Sequence, residues 1–531
     1  MLQRFMKSRG VAKFQRNRLA MASLAIIAVY FAVAFWIAAM EAIDWAGRAS
    51  GAFTLRGVPV LGALLPEATL ERAGPRWVAG FGVEQSVDRR IDQADQTLAP
   101  LRAAMADVGR VGDDTPRAAE ILAGVRFAER RLVEGPPARV RELLDAAEAE
   151  FAALDVLKQR RSPVVAAMVG AERALQLAPR LSRVVEPGGW AEAAKVRGEA
   201  AAAVEDTMFA VEDAQAAAED DGPFAEIDPI DLQDAVDRLL EDEPPGGDVD
   251  LIPMDLLRRV EALAQARVEV LDGEIRAQLQ RLEARIDDLF PRPTGFAGAV
   301  YAARMSLGTD AQGRSILVRS IYSAKVAVQV GFVTALISVI IGALLGAAAA
   351  YFGGWVDAVV QWLYSTFSSV PNLVLLVVLA FMFTGTKVEG TLIPVYAAFC
   401  LTFWIGACRV IRGEVLKVKE LEYVHAARAT GFGRAYILVR HVLPNTTHLM
   451  FISFSLLFIN AIKSEVILTF LGLGLKDGAS WGIMINQSGP EVVQGFFWQI
   501  GAATVFMLVL VLAFNVVSDA MQDAFDPKHV G

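Results

Sequence analysis

The chain has 531 residues, 54% of them hydrophobic, and a mean hydropathy of +0.40, a balance that excludes an ordinary soluble enzyme. Charge divides unevenly: residues 41–300 hold 48 acidic and 30 basic side chains (net −18) and the remainder 12 and 21 (net +9), which together give the formal −9. An acidic insert within a basic, apolar chain argues against nucleic acid as a partner.

In chain order, residues 1–18 carry Arg4, Lys7, Arg9, Lys13, Arg16 and Arg18 with no acid, and the apolar run 19–40 is long enough to cross a bilayer. It is too long for a typical cleaved signal core and no good small-x-small cleavage site follows it, so it reads as an anchor with its N-terminus in the cytoplasm. Residues 41–300 read as an inserted helical bundle or coiled-coil stalk. Val83, Val87, Ile91, Ala94, Leu98, Leu101, Met105 and Val108 form one stripe, as do Leu256, Val260, Leu263, Leu271, Ile275, Leu279, Leu282, Ile286 and Leu289, at the steps of three and four that mark a helix face. Pro100 predicts a kink or break. Gly135-Pro136-Pro137, Pro187-Gly188-Gly189 and Pro244-Pro245-Gly246-Gly247 predict helix ends. Asp228, Asp231, Asp234 and Asp237 lack the glycine and spacing of a calcium loop and read as a solvated face. The insert has no His or Cys, which weighs against catalysis.

Five further spans are predicted at 326–352, 357–383, 391–411, 449–471 and 496–517, helical because open strands are not viable in lipid. Six spans place both termini in the cytoplasm, together with the loop carrying Arg409, Arg412, Lys417, Lys419, Arg428, Arg434 and Arg440, and leave 41–300 on the periplasmic side. Cys400 and Cys408 are the only cysteines; eight helical residues put them roughly 12 Å apart, too far for a disulfide. Polar groups in lipid tend to face a protein interior or a water-filled path. Ser365, Ser368, Ser369 and Asn372 around the kinking Pro371, and Glu465, are therefore candidates for lining a translocation path or for helix packing. Lys463, two residues from Glu465, faces another way and is a weaker candidate that can snorkel to the interface. Trp481 and Trp498 suit the outer interface.

The most informative segment is Tyr423-Val424-His425-Ala426-Ala427-Arg428-Ala429-Thr430-Gly431, followed by Arg440-His441-Val442-Leu443-Pro444-Asn445. Residues 414–430 can form a short amphipathic helix, Gly431 permits a turn, and Pro444 suits a chain break before the next span. The ordered match from His425 to Asn445 resembles the cytoplasmic EAA loop of binding-protein-dependent ABC importer permeases, in the version found in dipeptide, oligopeptide and nickel permeases. His425 stands where that pattern has glutamate. Leu307-Gly308-Thr309-Asp310-Ala311-Gln312-Gly313-Arg314, Ala350-Tyr351-Phe352-Gly353-Gly354-Trp355-Val356-Asp357, Phe470-Leu471-Gly472-Leu473-Gly474, Ser480-Trp481-Gly482 and Asp523-Ala524-Phe525-Asp526-Pro527 extend the resemblance over 14–40 and 304–527.

The resemblance implies an all-α polytopic membrane protein with six transmembrane helices of the type I ABC importer fold. Residues 301–531 would then form the permease core and 413–445 its coupling loop, with His425, Ala426, Ala427, Gly431, Leu443 and Pro444 meeting an ATPase. It also implies a bacterial inner-membrane location beside membrane lipid. The implied partners are a second homologous permease, two ATPase subunits that bind ATP and Mg, and a periplasmic solute-binding protein. No G-x-x-x-x-G-K-[ST] run is present, and Gly385-Thr386-Lys387 does not fit one, so the chain itself is expected to bind no nucleotide, to hold no cofactor or metal, and to be no enzyme. The alternative is a membrane-anchored sensor or scaffold that works through the helical insert.

Overall fold

The computed structural model describes residues 14–50, 87–112, 115–127, 130–184, 193–217, 222, 224–241 and 251–525. Among the described residues the fold is all-α apart from one pair of two-residue strands, and the chain divides into two compact units, one of residues 84–292 and one of residues 1–83 and 293–531.

Numbering helices from α1 (Arg18–Ser50), the 84–292 unit contains α2 (Val87–Val111), α3 (Pro116–Ala123), α4 (Pro137–Val184), α5 (Ala194–Ala217), α6 (Pro229–Leu240) and α7 (Met254–Leu289). Strands β1 (Arg126–Phe127) and β2 (Arg130–Arg131) pair antiparallel between α3 and α4. Helix α4 packs along both α5 and α7. Its contact with α5 is built from small side chains, Ala167, Ala171, Ala174 and Ala178 against Ala200, Ala203, Val204 and Val211. The backbones approach so closely that a Cβ at Gly170 would lie 2.6 Å from Thr207 Oγ1. A second core joins Leu98, Leu101, Met105 and Val108 to Leu144, Leu154, Leu279, Leu282 and Ile286. Both stripes are therefore core faces, except that Leu257 replaces Leu256 in the buried register and Leu263 is only half-buried.

One local expectation is corrected. Helix α2 runs unbroken through Pro100, because Leu98 and Leu101 on either side are wholly buried and their packing outweighs the lost backbone bond. Helix α4 likewise contains Pro163 and Pro179. It does begin at the Gly135-Pro136-Pro137 break; the other two Pro-Gly breaks and Val83 lie outside the described residues. Asp228 caps α6, its Oδ1 accepting from the Ile230 N–H at 3.0 Å, and the following three aspartates are exposed, a capped and solvated helix face.

The membrane unit contains α1 (Arg18–Ser50), α8 (Gly295–Arg304), α9 (Ile316–Phe352), α10 (Gly354–Ser368), α11 (Asn372–Phe381), α12 (Ile393–Val418), α13 (Glu422–Ala429), α14 (Arg434–Ile437), α15 (Thr447–Phe470), α16 (Trp481–Gln487), α17 (Gly489–Val493) and α18 (Trp498–Phe525). Among the described residues five helical stretches are long and apolar enough to cross a membrane, and α10 with α11 supplies a sixth if that bent pair counts as one span. Helices α9 and α12 form the tightest pairing. A Cβ at Gly342 would sit 2.6 Å from the Trp404 carbonyl oxygen, and one at Gly346 closer still to that of Cys408, the small-residue contact that lets membrane helices touch backbone to backbone. Phe458 stacks on Phe514 at 4.0 Å and lies near Phe31 and Phe454, tying α15, α18 and α1 together.

Two predicted spans of this unit lie inside longer helices, and three further predicted features are corrected. Helix α1 continues past residue 40 to Ser50, and α9 begins ten residues before the predicted 326. The third span is not one kinked helix: α10 and α11 meet at 86°. The fourth continues as α12 to Val418, so the short helix predicted over 414–430 is confined to α13. Pro444 breaks no chain; helical backbone runs from Arg434 to Phe470, loosening to a π turn at Leu438–Val442 and tightening to a 3-10 turn at Leu443–Thr446.

Candidate functional site

Helix α13 sits on an apolar base. Val424 and Ala427 are buried against Ala343, Ala347 and Tyr351 of α9 and Ile411 and Val415 of α12. The opposite face presents Tyr423, His425, Ala426 and Arg428 to the surroundings. The Arg428 guanidinium lies 5.3 Å from the centroid of the Tyr351 ring, and His425 Nε2 stands 3.6 Å from Glu420 Oε2. The helix ends in a Schellman turn: the Gly431 N–H donates to Arg428 O at 3.0 Å, and the Phe432 N–H to Ala427 O at 3.3 Å. Gly431 takes φ +85°, a left-handed conformation that costs other residues free energy.

Beyond the turn, Phe432 stacks on Tyr436 at 5.1 Å and His441 approaches both rings. Leu421, Phe432, Tyr436 and Val439 are all exposed, and such an apolar, aromatic patch beside a short helix has the character of a protein-docking surface. Asn445 Nδ2 donates to His441 O at 2.9 Å and to Tyr423 Oη, stitching the start of α15 back to α13. Leu443 and Pro444 line a small apolar cavity with Ile340, Leu344 and Met450. The six loop residues are thus brought into one compact segment: His425, Ala426 and Gly431 exposed on or beside α13, Ala427 buried beneath it, and Leu443 and Pro444 behind it.

The second feature is a cavity of about 520 Å³ at the α10–α11 bend. Ser368, the last residue of α10, and Asn372, the first of α11, line it; Ser368 Oγ accepts from Arg409 Nη2 at 2.7 Å. Ser365 and Ser369 are exposed but lie outside the lining. Glu465 also lies outside it, on the packed side of α15, where it accepts from Thr469 Oγ1 at 2.9 Å and Ser480 Oγ at 2.8 Å. The lining adds Thr402 from α12 and Asn460, Lys463 and Ser464 from α15. Asn460, Lys463 and Ser464 are spaced i, i+3, i+4, a polar stripe on an otherwise apolar helix, and that periodicity was the signal available in the sequence.

A third cluster fixes the segment that precedes α9. Asp310 accepts from Arg314 Nε at 2.7 Å and from Arg319 Nη1, while Gln487 Oε1 on α16 accepts from Arg314 and Arg319 at 2.9 Å each. Glu491 Oε1 accepts the Ala311 N–H at 2.8 Å; burial foremost pushes its carboxyl up to about 7. Trp481, expected at the interface, is instead buried, its Nε1 donating to Ser320 O at 3.0 Å. Among the described residues no group of His, Cys, Asp or Glu is placed to hold a metal ion.

Helices long and apolar enough to cross a bilayer, packed into one bundle, define a multi-pass membrane protein. Residues 338–530 match the family described as binding-protein-dependent transport system inner membrane component. The dipeptide transport system permease protein DppC of Bacillus subtilis is 36% identical over 222 residues, 42% of this chain and 68% of that protein. The oligopeptide permease protein OppC of Haemophilus influenzae is 32% identical over 222 residues, 42% and 70% of the two chains. A putative peptide permease of Brucella suis is 34% identical over 223 residues, 42% and 72%. The chain belongs to the binding-protein-dependent inner-membrane transport component family. It is a transport component of the inner membrane and not an enzyme.

Proposed function

We propose that this chain is one permease subunit of an ATP-driven importer of peptides or similar small solutes, with α13 seated on a separate ATPase subunit. The observation that carries the reading is the construction of α13. A helix of eight residues is too short to be stable alone; this one is fastened by Val424 and Ala427 and leads through a fixed glycine turn into the helical run toward α15. A push on its exposed face is delivered to a long helix rather than lost in a loop.

The DppC and OppC relatives support peptides as cargo. Basic residues at 1–18 and through 413–445 favour a cytoplasmic position for both segments and for the C-terminus, with the 41–300 insert periplasmic. A second homologous permease, two ATPase subunits holding ATP and Mg, and a periplasmic solute-binding protein complete the transporter. The cavity at the α10–α11 bend, with Ser368 and Asn372, is part of the solute path, and Ser365, Ser369 and Glu465 border or brace it. His425 replaces an acidic contact to the ATPase with one made by imidazole and the neighbouring aromatic patch.

A cysteine at Ala426, in a chain with Cys400 and Cys408 replaced by serine, tests this. Expected is a crosslink to a co-purifying ATPase subunit and protection from impermeant thiol reagents in whole cells. Labelling from outside with no crosslink would overturn the reading.

A further inference from the structure

Lys463 lies seven residues before the end of α15 and its side chain lines the cavity at the α10–α11 bend. An ammonium in a membrane-spanning helix is costly and marks a functional position unless something compensates it. Among the described residues no carboxylate pairs with Lys463. The nearest in sequence, Glu465, is buried on another face of the helix and engaged by Thr469 and Ser480. The cavity lining contains no acidic side chain at all. Its polar groups otherwise are neutral: Ser368, Asn372, Thr402, Asn460 and Ser464. At about 520 Å³ the space falls within the range that holds small organic ligands.

We infer that this cavity selects a solute bearing a free carboxylate, with Lys463 as the counter-charge and the neighbouring amides and hydroxyls meeting the rest of the solute. This rests on the importer reading and deepens it: the membrane subunit itself, and not only an external binding protein, discriminates on charge. The carboxylate completes a charge-assisted hydrogen bond as it passes, and a lining with one positive group and no acid, beside the Arg409 guanidinium that donates to Ser368 Oγ, gives an amidated or cationic solute nothing equivalent.

The test uses the full complex, purified with its co-expressed partners and reconstituted in liposomes, with tri-alanine and tri-alanine amide as probes. Losing a hydrogen bond to a charged group changes affinity by roughly 10- to 100-fold. Lys463→Gln is therefore expected to lower sub-saturating tri-alanine uptake by that factor while changing amide uptake far less, and Lys463→Arg to retain most of it. The same binding protein serves every arm, so its own preference cancels from the ratio. Equal loss for both peptides, or no loss for either, overturns the inference. A wild-type complex that imports neither peptide sinks the peptide-importer reading instead.

A second measurement needs no binding protein. With cysteine at Asn460 in a Cys400→Ser, Cys408→Ser background, a sulfonate-bearing methanethiosulfonate is expected to lose roughly tenfold in rate relative to an ammonium-bearing one when Lys463→Gln is added. An unchanged ratio overturns the inference.

Discussion

Removing the carboxylate of Asp310 tests whether the buried polar cluster before α9 locks that segment to α16. The Asp310 side chain is 2% exposed, that of Arg314 9% and that of Arg319 0%. Asp310 Oδ1 also accepts the backbone N–H groups of Gln312 at 3.0 Å and Arg314 at 2.9 Å. Asp310→Ala strands two guanidiniums whose remaining shared acceptor is Gln487 Oε1. Breaking a buried ion pair from one side costs about 3–5 kcal/mol, and each lost backbone bond adds about 1 kcal/mol. Arg319→Met leaves Asp310 bonded to Arg314 and removes a buried charge, so its cost is smaller, about 2–3 kcal/mol on the same scale. The double variant should be more stable than the sum of the two losses predicts, by about 1–3 kcal/mol, since the pair interacts directly. Unfolding of the purified chain in detergent, followed by heat or denaturant, measures all three. An Asp310→Ala variant within about 1 kcal/mol of wild type, or strict additivity in the cycle, would refute the locking role.

Three further outcomes are expected. Gly342→Leu drives a side chain into the Trp404 backbone, so it should cost at least about 1–3 kcal/mol and lower the melting temperature in detergent, whereas Ser at Gly406, where a Cβ meets open space, should be neutral. At Gly431 nothing lies within reach of a Cβ and the penalty is conformational alone: Gly431→Val should strain the turn by about 1–2 kcal/mol and uncouple ATP hydrolysis from uptake with the spans still inserted, while Gly431→Asn should retain more uptake; normal uptake by the valine variant contradicts this. Glu491 titrates at about 7 in the folded chain against an ordinary 4.5, so the folded state holds the extra proton. Its contribution to stability is complete below about pH 4.5 and lost as pH rises through about 7, at up to about 1.4 kcal/mol per pH unit. Glu491→Gln should flatten that slope in a pH series of unfolding midpoints.

The long helices were legible because a bilayer imposes one requirement, a run of apolar residues, that hydropathy reads directly. The Gly431 turn was legible for a similar reason, since few side chains tolerate its backbone. What escaped was set by tertiary packing. Pro371 signals a bend but not its 86°, and Pro100 signals a break that the burial of Leu98 and Leu101 prevents. Trp481 looked interfacial until Ser320 supplied its hydrogen-bond acceptor inside the protein. In the cavity, Ser368 and Asn372 stood out beside a proline. Asn460 and Ser464 were hidden among apolar neighbours, and Glu465 drew attention because its charge is visible in sequence while its partners, Thr469 and Ser480, are assembled only by folding.

Both thiols of this chain belong to α12, Cys408 buried and Cys400 half-buried, and none occurs in the 260 residues of the acidic insert. That distribution makes the molecule a low-background chassis for site-directed tagging. A fluorophore or spin label placed on any chosen helix of the insert would be chemically unique once two membrane sulfurs are silenced. Distances from such tags to a neighbouring subunit could then be followed through a full turnover cycle.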